Sequence, residues 1–145
     1  MRAVIQRVAK GQVTVNGQTI ASIGSGFVIL LGVEKQDTPV KAVALAKKIA
    51  NLRVFRDDAD KMNRSILDTH GRAIVVSQFT LMADTRKGNR PSFIDAAPPE
   101  IASPLVDYFI DALTELGVET QSGEFGADML VEIHNDGPIT ILFDY

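Results

Sequence analysis

Apolar residues dominate Ala3 to Val8, interrupted by Gln6-Arg7, and flank Thr14 in Val13 to Val15, a pattern that predicts two strands separated by a turn at Lys10-Gly11. Asn16-Gly17 is a two-residue hairpin signal leading into a returning strand over Gln18 to Ile20. A continuous apolar run follows, Phe27 to Val33, of the length and composition of a central strand buried on both faces. Thr38 followed by Pro39 has the form of an N-cap and a first helical residue, and Val40, Val43, Ala44 and Ala46 to Ile49 predict a helix ending near Asn51. A short strand over Leu52 to Phe55 follows. The polar stretch from Arg56 to Gly71 predicts a loop with one apolar anchor at Ile66-Leu67.

A strand is predicted from Ala73 through Leu81, and after it a long loop holding Pro91, Pro98 and Pro99. Leu105, Tyr108, Phe109, Ala112, Leu113 and Leu116 fall on one face of a second helix that stops at Gly117, with Pro99 and Pro104 both eligible for its first turn. Val118 to Thr120, Met129 to Ile133 and Ile139 to Phe143 complete the strands, the last two joined by a turn at Gly137-Pro138. Strands in several groups with two helices predict an α+β fold of mixed, partly closed, barrel-like sheets with both helices covering one side.

A chain of 145 residues fits one domain spanning 1–145 and is long enough to bury a real core. With 46% hydrophobic and 23% charged residues it lies outside the disordered and fibrous classes. The absence of cysteine removes disulfides, thiolate metal sites and a cysteine nucleophile, and fits a cytoplasmic setting. No stretch approaches the ~20 apolar residues of a membrane span, so no membrane association is expected. A net charge of −3 argues against coating nucleic acid by charge alone. A local basic patch nevertheless stands at Arg86, Lys87 and Arg90 in a Gly- and Pro-containing loop.

Familiar catalytic sets are missing. Ser77 lacks the flanking glycines of a nucleophile elbow. His70 and His134 stand in no metal-ligand spacing, and Asp57, Asp58 and Asp60 lack the pattern of a calcium loop. No glycine-rich phosphate loop precedes a helix, so neither metal nor cofactor is expected. What remains is a site working through its backbone: N–H groups of Ser77, Gln78, Phe79 and Thr80 donating to a developing oxyanion, and carbonyls of Gly137-Pro138 facing a ligand. Taken singly, each segment is equally well an ordinary strand or turn.

Five segments, Ser77-Gln78-Phe79-Thr80-Leu81, Ala83 to Gly88, Arg90-Pro91-Ser92-Phe93, Phe125 to Met129 and Asn135 to Thr140, together with the opening Met1 to Val8, closely resemble the D-aminoacyl-tRNA deacylase family. The similarity runs in order along essentially the whole chain. It implies a cytoplasmic homodimer that hydrolyses the ester joining a D-amino acid to the terminal adenosine of tRNA, and that also removes glycine mischarged on alanine tRNA. It further implies that Gly137-Pro138 forms a Gly-cisPro dipeptide inserted from one subunit into the active site of the other. There it would receive the substrate ammonium and wall off an L side chain, while residues 77 to 80 hold the ester. Arg7 is then expected to brace the Gly-Pro segment by donating to a nearby carbonyl, with Asn135 in support. Thr80 has no visible base beside it, and the resemblance favours assistance by the 2′-hydroxyl of the terminal adenosine. Arg86, Lys87 and Arg90 become candidates for acceptor-stem phosphates. Two alternatives stay open: a related deacylase of looser chirality, and a non-catalytic RNA-binding dimer.

Overall fold

The computed structural model describes residues 1–145. Its first strand, β1 (Arg2–Val15), runs straight through the expected turn at Lys10-Gly11. Gly11 is there because of packing: a Cβ at that position would lie 2.6 Å from Val28 Cγ2, so the missing side chain lets a neighbouring strand's residue come close. The true turn is Asn16-Gly17, whose φ angles of 50° and 78° fit the primed two-residue hairpin and return the chain as β2 (Gln18–Ile23). The apolar run forms β3 (Gly26–Gly32), and Thr38 caps the following helix α1 (Pro39–Ala50), its side chain accepting from the Lys41 N–H.

The stretch expected as a loop contains a small ribbon, β4 (Phe55–Arg56) antiparallel to β5 (Met62–Arg64). It is turned by Asp57, whose Oδ1 accepts from the N–H groups of Ala59 and Lys61. Ile66 is its buried anchor. Then come β6 (Arg72–Ser77), a 3-10 turn (Phe79–Met82), α2 (Pro99–Glu115), β7 (Glu119–Ser122) and β8 (Leu130–Asp144). Pro99 opens α2 and Pro104 lies inside it, where its absent N–H would have addressed the Glu100 carbonyl.

Seven-residue β3 pairs antiparallel with the first half of β1, while β2 pairs with the second half along the same side. Parallel pairing continues from β3 to β6 and from β6 to β7, and β8 runs antiparallel along the whole opposite side of β1. The sheet curls until Gln121 of β7 straps β2, accepting from the Ser22 N–H at 2.7 Å and donating to its carbonyl at 3.1 Å. This mixed, nearly closed sheet with both helices on one side is the α+β arrangement the pattern predicts.

Two apolar layers result. Phe27, Ile29, Leu31, Ala73 and Val75 face the helices, where they meet Leu45, Ile49, Phe109 and Leu113. Val28, Ile74 and Val76 point the other way, into a smaller core with Val8, Val13, Ala21 and Ile23 inside the curl. Both faces of β3 and β6 are therefore buried, which accounts for their uninterrupted hydrophobic runs.

Candidate active site

Where β6 ends, the strand expected to continue to Leu81 stops at Ser77 instead. Gln78 donates its N–H to the Leu31 carbonyl at 2.8 Å, and the chain then coils, with the Leu81 N–H reaching the Gln78 carbonyl and that of Ala83 reaching Thr80. Gly32 and Met82 explain the change. The Met82 side chain is buried over Gly32 so closely that a Cβ there would sit 2.6 Å from Met82 Cε. Beyond the Gln78 bond the turn is thus folded down on the end of β3 instead of running on beside it.

In front of the turn opens a cavity of about 660 Å³, lined by Ser77, Gln78, Phe79 and Phe93, by Ala97 before α2, and by Phe125 to Met129 ahead of β8. Phe79 and Phe93 meet edge to face with centroids 5.1 Å apart, and the Phe79 ring remains 57% exposed. Thr80 does not line this cavity. Its hydroxyl accepts from the Gln78 side-chain amide and faces outward. Asp128 is the only ionisable residue in the lining, and no histidine reaches it. No three His, Asp or Glu side chains gather anywhere in a way suited to a metal ion.

Gly137-Pro138 is not the turn of a hairpin. Leu130 to Asn135 pairs with Thr14 to Val8, and Thr140 to Asp144 pairs with Gln6 to Arg2, so both halves belong to one strand along one partner. Residues 136–139 bulge out of it opposite the single residue Arg7, an extrusion longer than an ordinary β-bulge. The Asn135 amide closes its base, donating to the carbonyls of Arg7 and Ile139, each at 2.9 Å. Gly137 has φ 114°, its bond to Pro138 is cis, and Asp136, Gly137 and Pro138 are exposed.

Beneath the bulge Arg7 is buried, only 3% exposed. The carbonyl it donates to is that of Val54, and its link to the bulge is Asp136, whose Oδ2 lies 2.9 Å from Arg7 Nε. That Nε contact is an ion pair out of line for a hydrogen bond, leaving the Nε–H without an aligned acceptor. The chain does not bring bulge and cavity together. Met129 and Val131 line the cavity, but nothing from 135 to 139 does, and Gly137 lies six residues beyond Val131, on the order of 15–20 Å at strand rise.

The basic segment is a loop closed by the paired backbones of Asp84 and Ser92. Arg86 turns back onto Asp84 with two side-chain hydrogen bonds, 2.9 Å from Nε and 2.7 Å from Nη2. This fork holds the Asp84 carboxyl well below the usual range, at about 2, and raises Arg86 in turn. Lys87 and Arg90 are exposed cations with no ion-pair partner, so the patch offers two free charges where three were expected. Phe93, Ala97, Phe125 and Asp128 were not singled out by sequence reasoning. The segments Arg-Pro-Ser-Phe and Phe-Gly-Ala-Asp-Met carried the signal for three of them.

A family model described as D-Tyr-tRNA(Tyr) deacylase matches residues 4–144. A Roseiflexus castenholzii (strain DSM 13941 / HLO8) protein named D-aminoacyl-tRNA deacylase is 60% identical over 144 residues, covering 99% of this chain and 92% of its own. The solved structure of a c-Myc DNA unwinding element binding protein superposes with a TM-score of 0.95 at 40% identity, covering 100% of this chain and 99% of that one. A probable eukaryotic D-amino acid tRNA deacylase shares the fold, with a TM-score of 0.83 at 16% identity over 99% and 98% of the two chains.

Proposed function

Because the chain belongs to the D-Tyr-tRNA(Tyr) deacylase family, we propose that it is a chiral editing enzyme whose active site is completed by a second copy of itself. The coarse activity follows from membership: the chain is a D-aminoacyl-tRNA deacylase, a hydrolase that adds water across the aminoacyl ester and releases a D-amino acid and tRNA. The finer reading concerns how handedness is sensed. Ser77, Gln78 and Phe79 hold the ester at the cavity, with Thr80 behind them in the turn, and the exposed Gly137-Pro138 segment of a partner subunit enters it, its carbonyl oxygens receiving the substrate ammonium. With ester and ammonium fixed, the α-carbon has two directions left, one open and one walled by the dipeptide. A D side chain takes the open direction, and an L side chain meets the wall. Rejection by steric conflict in a rigid site exceeds what a missing contact provides.

Glycine has no side chain to clash, so glycyl-tRNA mischarged on alanine tRNA is a substrate of the same geometry. The 2′-hydroxyl of the terminal adenosine assists attack, and the protein's part is orientation. Lys87 and Arg90, with Arg86 beside them, meet acceptor-stem phosphates without reading sequence. The enzyme acts in the cytoplasm as a homodimer formed by single domains of residues 1–145.

The observation that carries this reading is the bulge itself: a solvent-facing dipeptide, propped from below by buried Arg7 and Asn135, too far along β8 to serve its own cavity. Purified protein given matched D-, L- and glycyl-tRNAs tests it. Turnover of the D and glycyl esters with the L ester spared is expected. Equal turnover of D and L esters would favour the deacylase of looser chirality. The name of the 40% identical structure, a DNA-element binding protein, favours one other reading, nucleic-acid binding as the main role, and retention of all three tRNAs with no ester cleaved would favour it over editing.

A further inference from the structure

Arg2 opens β1 opposite Asp144 at the end of β8, and its side chain reaches the 3-10 turn from outside the cavity lining. Its Nη1 donates to the Leu81 carbonyl at 2.6 Å and its Nη2 to Asp144 Oδ2 at 3.1 Å. The Leu81 carbonyl is among the last of the turn, which no residue inside so short a coil can satisfy. Arg2 is the one side chain from elsewhere in the chain that hydrogen-bonds to the turn's backbone. From β3 the turn is fastened by the Gln78 N–H on the Leu31 carbonyl and by Met82 over Gly32, and on the cavity side Phe93 packs against Phe79.

The rear of the turn is open. A depression of about 290 Å³ lies there, lined by Arg2, Met82, Ala83, Asp84 and Arg86 among others. Without the guanidinium the turn has room to relax backward, and the cavity wall formed by Gln78 and Phe79 would move with it. Asp144 fixes the guanidinium at its second fork, so the contact is held at both ends.

We propose that Arg2 is a positioning residue for the hydrolysis: by anchoring the Leu81 carbonyl it holds the turn carrying Phe79 and Thr80 in the place where the ester is bound. This rests on the reading of the cavity as the ester site. Arg2 touches no substrate, so its loss acts on orientation and leaves the cations that meet tRNA in place.

Arg2→Met keeps the apolar stem and removes the donors. Misplacement on the ångström scale costs roughly 10- to 100-fold in rate, so kcat on D-aminoacyl-tRNA should fall at least about tenfold while KM stays within about twofold. Arg2→Lys, which can still donate to one carbonyl, should recover most of kcat. The amide protons of Leu81 and Ala83 should exchange faster in Arg2→Met, with those of β3 unchanged. A folded Arg2→Met protein with parental kcat, or a lysine variant no better than the methionine one, overturns the inference. Should Arg2→Met not fold, Asp144→Ala, which removes the second contact of the guanidinium, decides it: faster exchange confined to Leu81 and Ala83 with a reduced kcat supports it, and parental values of both overturn it. An unaltered protein inert toward D-aminoacyl-tRNA would defeat the reading of the cavity as well. Faster exchange with unchanged kcat would defeat the positioning role alone.

Discussion

Gly137 is the residue with the least room for change. An alanine Cβ would lie 2.9 Å from Ile139 Cγ1 and 3.0 Å from an Arg7 nitrogen, at a φ of 114° that L side chains rarely adopt. Holding that conformation costs on the order of 1–3 kcal/mol, and relief would displace either the bulge or the buried guanidinium. Gly137→Ala should therefore leave a folded protein of lower melting temperature whose single-turnover rate on D-aminoacyl-tRNA is reduced at least about tenfold. Thr80 is the converse case. Its hydroxyl contacts only the Gln78 amide and does not line the cavity, so Thr80→Ala should keep kcat within several-fold. A collapse as deep as that from removing Phe79 would make Thr80 the nucleophile.

Asp84 supplies a pH effect whose sign is fixed. Its carboxyl is held at about 2, first by the side chain and then by the backbone N–H of Arg86. A lowered folded value means that the ionised form is the one the native loop prefers. Its contribution is complete above the ordinary value of 3.8 and disappears as pH falls through about 2. Carboxyl chemical shifts should show a midpoint near that value, and Arg86→Ala should bring it back toward 3.8.

At the scale of elements, the bulge in β8 is a device inserted into an otherwise regular ladder. Replacing Asp136 to Ile139 by a single residue opposite Arg7 should preserve the sheet, seen as an unchanged circular dichroism spectrum, and abolish deacylation. Only part of this was legible in the sequence. The helices and β3 were readable because their causes are local: a Thr-Pro cap, a 3.6-residue stripe, an unbroken apolar run. Gly11 was read as a turn because its reason for being glycine is Val28, a contact across strands that no local pattern carries.

Likewise Gly137-Pro138 passes for a hairpin, since a hairpin and a bulge differ only in which strand each half pairs with, and both halves here choose β1. The coiling after Ser77 depends on Met82 meeting Gly32, fifty residues earlier in the chain. The segments around 77, 90, 125 and 137 were visible by resemblance to a family, whereas the role of Arg2 was not, being set by a carbonyl 79 residues along the chain.

For the whole molecule the decisive question is how many chains make one site. β8 is fifteen residues long and paired on one side only, and its exposed bulge projects from a protein whose cavity lies elsewhere on the same strand. If sites are shared, a Gly137→Ala variant and a variant defective in the Phe79 segment should complement each other. Mixed dimers would hold one intact site in two and form half the population, restoring roughly a quarter of parental turnover. No recovery on mixing would confine each site to its own chain. Binding to tRNA should weaken with added salt, and Lys87→Ala with Arg90→Ala should flatten that dependence by about two released counterions.

The two-sided burial of β3 and β6 has a last consequence. Where one face of a sheet meets water, polarity alone forbids a strand from sliding by one residue, because the slide would expose its oily side. Here both faces are oily, and that safeguard is gone. Size replaces it. Phe27, Ile29 and Leu31 point toward the helices opposite the small Ala73, while the inner layer takes Val28, Ile74 and Val76. A slide of β6 by one step would thrust Ile74 into the space fitted to Ala73 and carry Ser77 away from the mouth of the cavity, so steric fit between two layers is what keeps the cavity-lining segment at its address.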